Sequence, residues 1–280
     1  MAMELSINPK HFTQAALWEE PRTVIEAIDL VYEAGFRRFD LNASTKEEAE
    51  VMAAHLAMLD AKVIQSHIPF NRYGKRDTPE VFHEKVMTSA EYAKILDSEI
   101  LVVHGDEFPY DKMLYTAEAA LEYNYRFYHD LVDFAVKSGM RVTFENTFQE
   151  ATILDRPHFG SAVNELCALV DRFGTKSVGI CWDTGHARMQ YGARENEALL
   201  VAGERVICTH VHDNYYNQDL HGFPFTGNVD WKIFMETLAK IGYKGDLSFE
   251  FVYDRIPKSL APDYMKILYR SGEYLLHLAP

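Results

Sequence analysis

The chain has 280 residues, 48% of them hydrophobic, and a formal net charge of −14 with histidine neutral. That length is ordinary for one α/β barrel, and that apolar content fills a large core, so intrinsic disorder is excluded. The acidic field repels phosphate backbones and anionic membranes, which argues against nucleic acid as a partner, and it suits a protein that carries divalent cations. No apolar run approaches the ~20 residues of a membrane span. The opening MAMELSINPKHF lacks the basic-then-apolar order of a signal peptide. Cys167, Cys181 and Cys208 sit in apolar runs and read as reduced core thiols of a cytoplasmic protein.

Short β-branched or apolar runs read as strands, and 3.6-period segments as helices. Met3–Asn8 is a strand. Pro21–Ala34 is a helix, with Pro21 in its first turn and Gly35 ending it. Phe36–Asn42 is the second strand, and Ser44–Leu59 a helix capped by Ser44. Ala61–Ile68, helix Pro79–Leu96, Glu99–His104 and the long helix Thr116–Lys137 follow. Arg141–Phe148 is the fifth strand, then helix Ser161–Phe173. Ser177–Asp183 and Arg205–His210 are the sixth and seventh strands, with a short helix between them around Asn196–Val201. Helix Trp231–Ile241, strand Asp246–Phe251 and helix Ala261–Leu276 complete the chain. Eight strands alternate strictly with helices, and no linker or low-complexity tract divides them. Strict alternation with buried-type strands implies a parallel sheet, and eight units close into a (β/α)8 TIM barrel. Residues 1–280 are therefore expected to form a single domain.

Active sites of such barrels lie at the carboxyl ends of the strands. There the sequence places His67, His104, Glu145, Asp183, His210 and Glu250 in turn. Each is a side chain able to bind a metal. His186 follows Asp183 by three residues, which sets both on one side of a first helical turn. After the seventh strand, the stretch THVHDNYYNQDLHGFPFTGNVDW (209–231) adds Asp219 and His221. Glu145, Asp183, His210 and Glu250 together would offer three carboxylates and one imidazole. That set suits Mn²⁺, Co²⁺, Fe²⁺ or Zn²⁺ with positions open for substrate oxygens, and it is unlike a cysteine-rich structural zinc site. His212 is expected to point away from His210 if the strand continues, and to support a ligand or fill the core rather than ligate. Asp213 is expected to orient an imidazole. Trp182 and Phe148 read as barrel core. His11, His55, His83, His129, His158 and His277 read as bystanders.

FENT (144–147), WDTGHA (182–187), HVHDN (210–214), DLHGFPFTGNVDW (219–231) and the late FEF (249–251) resemble the xylose-isomerase-like TIM-barrel superfamily over essentially the whole chain. That group includes sugar and sugar-phosphate isomerases and epimerases, inosose dehydratases and endonuclease IV. The resemblance to its ketose 3-epimerases implies one divalent metal held by Glu145, Asp183, His210 and Glu250. It also implies that Glu145 and Glu250 act as an acid/base pair on opposite faces of a small sugar, a sugar phosphate or a keto-polyol, through a cis-enediolate. His186 would bond a substrate oxygen. Those epimerases carry an arginine six residues after the ligand histidine, where this chain has Tyr216. The resemblance to endonuclease IV implies a different use. Its three zinc ions are held by nine ligands, and the matching positions here are His67, His104, Glu145, Asp183, His186, His210, Asp219, His221 and Glu250. On that pattern the chain could bind up to three metals and act as a phosphoesterase. The charge of −14 and the lack of a basic patch beyond NRYGKR (71–76) speak against a DNA substrate. An isomerase or epimerase is the leading expectation, with an inosose-dehydratase-like lyase beside it by the same enolate route. A homo-oligomer remains open.

Overall fold

In the computed structural model, residues 3–14, 20–71, 77–105, 108–109, 112–149, 157–215, 218–252 and 256–279 are described. Eight parallel strands run β1 (Leu5–Ile7), β2 (Arg38–Asp40), β3 (Lys62–His67), β4 (Ile100–His104), β5 (Arg141–Glu145), β6 (Val178–Asp183), β7 (Val206–His210) and β8 (Leu247–Phe249). Their order in the sheet is β7-β6-β5-β4-β3-β2-β1-β8. The ring closes between β7 and β8 through a Val211–Phe249 bridge and the bonds Val211 N to Ser248 O (2.7 Å) and Glu250 N to Val211 O (3.3 Å). The chain is thus the expected (β/α)8 barrel.

The outer helices are α1 (Val24–Ala34), α2 (Lys46–Met58), α3 (Pro79–Ile95), α4 (Ala117–Lys137), α5 (Val163–Phe173), α6 (Thr184–Tyr191), α7 (Glu195–Ala202), α8 (Trp231–Lys240) and α9 (Ala261–Leu278). Among the described residues none is long and apolar enough to cross a membrane. Phe36, Phe39, Phe144 and Phe249 are buried in the barrel's main apolar cluster, where helices and strands meet. Cys181 and Cys208 pair in register on neighbouring strands and form a smaller cluster with Ile100 and Val102. All three cysteines are buried.

Several boundaries differ from those expected, for local reasons. Pro21 lies before α1, because Thr23 caps it. The Thr23 hydroxyl accepts from Glu26 N (3.2 Å) and the Glu26 carboxylate accepts from Thr23 N (2.7 Å), a reciprocal capping box. The cap of α2 is Thr45, not Ser44, whose own N–H is taken by Glu48. Strand β2 stops at Asp40, where its register with β3 shifts. Between β6 and β7 there are two helices rather than one. Asp183 is both the last residue of β6 and the N-cap of α6, so the chain turns from strand to helix without a loop.

Glu195 begins α7 and is buried, with the Arg188 guanidinium at 3.5 Å. Burial pushes its carboxyl up to about 7, against the opposing pull of Arg188. A carboxyl raised on folding binds more protons in the native state than in the unfolded one. Its favourable contribution is therefore full below about pH 4.5 and lost as pH rises through about 7. Glu195→Gln is expected to stabilise the protein by about 2–3 kcal/mol near pH 8 and by little near pH 5. Melting curves at the two pH values check this, and an equal difference at both would contradict it.

Candidate active site

The strand ends meet at one level of the barrel mouth. Parallel register sets His104 beside Glu145 and Asp183 beside His210. Glu145 is the hub. Its Oε2 lies 3.2 Å from His67 Nε2, 3.4 Å from His104 Nε2 and 3.3 Å from His210 Nδ1, and its Oε1 lies 3.1 Å from His186 Nδ1. The residue is 1% exposed. Burial alone would raise its pKa, but the charges of His210 and His104 and the hydrogen bonds from His104 and His186 hold it well below the usual carboxylate range. Glu250, just past β8, approaches His210 Nδ1 to 3.1 Å.

His210 has no exposed surface, and neither of its ring nitrogens makes a hydrogen bond of good geometry. Buried polar atoms left this way are rare and call for a partner. The ligand atoms of Glu145, Asp183, His210 and Glu250 all lie within 4.8 Å of one another. Bonds of 2.0–2.2 Å to a shared ion span up to about 4.3 Å between ligands, so the group needs little adjustment. Protonated imidazoles are a poorer solution. His67 and His210, with ring centres 5.8 Å apart, would repel by about 3 kcal/mol at an effective dielectric of 20. A divalent ion supplies positive charge while the rings stay neutral. The residues present therefore fit a metal.

The other side of the mouth is built from α6 and the loop after β7. Asp183 Oδ1 accepts the N–H of His186 (2.6 Å), which fixes His186 one turn into the helix. Asn146 holds Asp183 in place by accepting from Asp183 N (2.7 Å) and donating to Asp183 O (3.0 Å). His186 Nε2 faces Asp219 Oδ2 at 3.6 Å, and His221 Nε2 faces the same oxygen at 3.3 Å. Burial would raise the Asp219 carboxyl, yet the hydrogen bonds from His186 and His221 drive it far below the usual range. Burial lowers His221, and the hydrogen bond to Asp219 with the charges of Glu250, Asp219 and Asp183 lifts it to about 9.

The expectation that His212 points away fails. Side chains two apart along an extended segment share a face, and His212 is buried with Nε2 2.9 Å from Asp183 Oδ2. It also stacks on His221, with ring centres 4.1 Å apart. Gly185 makes room for it, since a Cβ there would lie 1.9 Å from His212 Cε1. Asp213 does not orient an imidazole. Its oxygens accept from Val229 N (3.1 Å) and Trp231 Nε1 (3.0 Å), while its backbone pairs with Gly222. Asn214 accepts from Leu220 N (2.7 Å). Together they pin the loop that presents Asp219 and His221.

Further donor groups within the same 4.8 Å limit are His67, His104 and Glu145; Glu145, Cys181 and His210; and His186, His212, Asp219 and His221. All nine residues singled out from the sequence thus gather in one mouth. Tyr216 and residues 72–76 of the basic loop lie outside the described residues. Phe148 is half-buried against His186 (5.3 Å between rings) rather than in the core, whereas Trp182 is core. Phe70, not anticipated, is 37% exposed and stacks on His104 at 4.3 Å, offering an apolar face beside the site. Asp40 and Asn146 were also not anticipated. His55 pairs with Asp29 (2.6 Å), and His83 with Asp130 (3.6 Å), away from the mouth.

Residues 25–270 match a family model described as a xylose isomerase-like TIM barrel. Over 189 residues the chain is 30% identical to the uncharacterized protein MJ1311 of Methanocaldococcus jannaschii, covering 66% of this chain and 62% of that one. It is 34% identical over 98 residues to the uncharacterized protein y4fM of Sinorhizobium fredii, covering 35% and 31%. The matches thus span under two thirds of either relative. A D-tagatose 3-epimerase-like protein has a similar fold (TM-score 0.77, 21% identity, 98% of each chain). So does a D-psicose 3-epimerase (TM-score 0.73, 14% identity, 98% and 99%). An AP endonuclease, family 2, from Brucella melitensis is similar as well (TM-score 0.70, 18% identity, 96% of each).

A cluster that fits a divalent ion should respond to one. Stripping with a chelator is expected to lower the melting temperature, and adding Mn²⁺ or Zn²⁺ at about a thousand times its Kd should return about 4 kcal/mol. A melting curve indifferent to both treatments would contradict the fit.

Proposed function

The chain belongs to the xylose isomerase-like TIM-barrel family, and on that premise we propose that it is a metal-dependent sugar isomerase or epimerase. The observation that carries the reading is the convergence of Glu145, Asp183, His210 and Glu250 donor atoms within 4.8 Å, with the Glu145 and Glu250 carboxylates 3.3 Å and 3.1 Å from His210 Nδ1. A bound divalent ion would supply a Lewis acid for a ketose carbonyl and its neighbouring hydroxyl. The chain itself supplies the proton transfers. Glu250 has His210 as its near ion-pair partner and keeps a partly open side chain, which suits a group that takes a proton from carbon. Glu145 is enclosed, and His186 Nδ1 lies 3.1 Å from its Oε1, so the carboxylate is held in one orientation for the proton transfer at the opposite face. His186 and His221, whose Nε2 atoms meet at Asp219 Oδ2, stand beside the ligand set and can orient substrate hydroxyls together with that carboxylate. Phe70 offers a flat face to a sugar ring. A small carbohydrate is the substrate this arrangement suits, in a cytoplasmic setting. A lyase acting on a keto-inositol would draw on the same proton-abstracting groups.

A second reading is favoured by one observation. The donor groups number more than one ion needs, and Glu145 belongs both to the His67–His104 group and to the Asp183–His210–Glu250 group. If both of its oxygens served metals, Glu145 would be a much weaker base, and the site would suit a multinuclear zinc phosphoesterase better than a proton transfer. The net charge of −14 weighs against a nucleic acid substrate.

Two measurements separate the readings. Incubated in D₂O with a panel of ketopentoses and ketohexoses, the metal-loaded enzyme is expected to exchange deuterium into a carbon beside the carbonyl. Glu145→Gln and Glu250→Gln should each slow that exchange by roughly 10²–10⁴-fold while the fold persists. Metal analysis should give about one tightly held equivalent. About three zinc equivalents, cleavage of abasic-site DNA and no exchange with any ketose would establish the phosphoesterase instead.

A further inference from the structure

Beneath the mouth, β2 ends on a carboxylate for which sequence reading had no use. Asp40 is 1% exposed. Its Oδ2 accepts long hydrogen bonds from Asn8 Nδ2 and Gln65 Nε2 (3.4 Å each) and lies 3.7 Å from His210 Nε2. Its Oδ1 has no hydrogen-bond partner, and neither has His210 Nε2. On the other side of the same ring, Nδ1 is turned toward Glu145 and Glu250. The imidazole therefore stands between a lone buried carboxylate below and the candidate metal ligands above.

We propose that Asp40 is the positioning residue for His210: it accepts the Nε2–H, and so keeps the Nδ1 lone pair directed at the centre formed by Glu145, Asp183 and Glu250. A neutral imidazole carries one N–H, and whatever bonds that N–H decides which nitrogen is free to ligate. A metal-bound histidine almost always gives its other N–H to a carboxylate, a carbonyl or water. Among the described residues, Asp40 is the one carboxylate that pairs with Nε2. Closing the gap from 3.7 Å to a charge-assisted bond of about 2.8 Å needs a shift of under about 1 Å. A purely structural role explains Asp40 poorly. A buried carboxylate with two long amide contacts loses more hydration than those contacts return, whereas an asparagine would fit the same space without that loss. The charge makes sense when a ring carrying a cation lies against it.

This inference rests on the metal reading of the site, so its test separates the two. The full chain is stripped of metal, and its apo melting temperature is measured with Mn²⁺ affinity by electron paramagnetic resonance, for wild type, Asp40→Asn and Asp40→Ala. The expected result is that both variants melt at or above the wild-type temperature as apo proteins, while Mn²⁺ affinity falls roughly 10–100-fold in Asp40→Ala and less in Asp40→Asn, whose amide oxygen still accepts. Folded variants whose Mn²⁺ affinity changes by less than about twofold would overturn it. Wild-type protein that binds neither Mn²⁺ nor Zn²⁺ would overturn the metal reading and this inference with it. If the variants do not fold, long-range ¹H–¹⁵N spectra of Zn²⁺-loaded wild type decide. A proton on His210 Nε2 supports the assignment, and a proton on Nδ1 refutes it.

Discussion

Everything at the barrel mouth depends on one buried carboxylate. Glu145 is 1% exposed and has imidazoles of His67, His104, His186 and His210 within 3.4 Å. A carboxylate cannot be buried at such a point without compensation, and four rings cannot all be charged around it. Neutral rings with a divalent ion meet both conditions. The scaffold holds this arrangement at the ends of β3, β4, β5 and β7, so the barrel's closure fixes the geometry rather than any single loop.

The site is rigid on one side and loop-borne on the other. Glu145, Asp183 and His210 sit on strands locked in register, and Asp183 also starts α6, which carries His186. Asp219 and His221 ride on the loop that Asp213 and Asn214 pin from within. This division bears on function. Strand-borne groups suit the invariant chemistry of a proton transfer, while loop-borne groups suit recognition of what lies beside it. Donor atoms of His67, His104 and Glu145, and of His186, His212, Asp219 and His221, form further groups around the same mouth.

Most of the site was legible because its residues are the terminal side chains of strands that read plainly as apolar runs. What was missed has identifiable causes. Asp40 lies inside FRRFDLN, which reads as a strand through Asn42, yet the strand stops at Asp40 where the register with β3 shifts. His212 was put on the wrong face, although a period of two places it with His210. The helix α6 was missed because its cap is the last strand residue, leaving no turn signal between β6 and α6. Asp213 has the composition of a metal-orienting group, and only the fold shows that Val229 N and Trp231 Nε1 use it. Phe70 and Phe148 face the mouth because of loop paths that no periodicity encodes.

The proposed proton transfers rest on one divalent ion held by Glu145, Asp183, His210 and Glu250. Crystals of the full chain grown with Mn²⁺, and measured on both sides of the manganese absorption edge, test it most directly. An anomalous peak is expected among those four side chains, with His210 Nδ1 as a ligand. Well-ordered crystals with no peak there, and with the four side chains closed onto one another by hydrogen bonds, would contradict it.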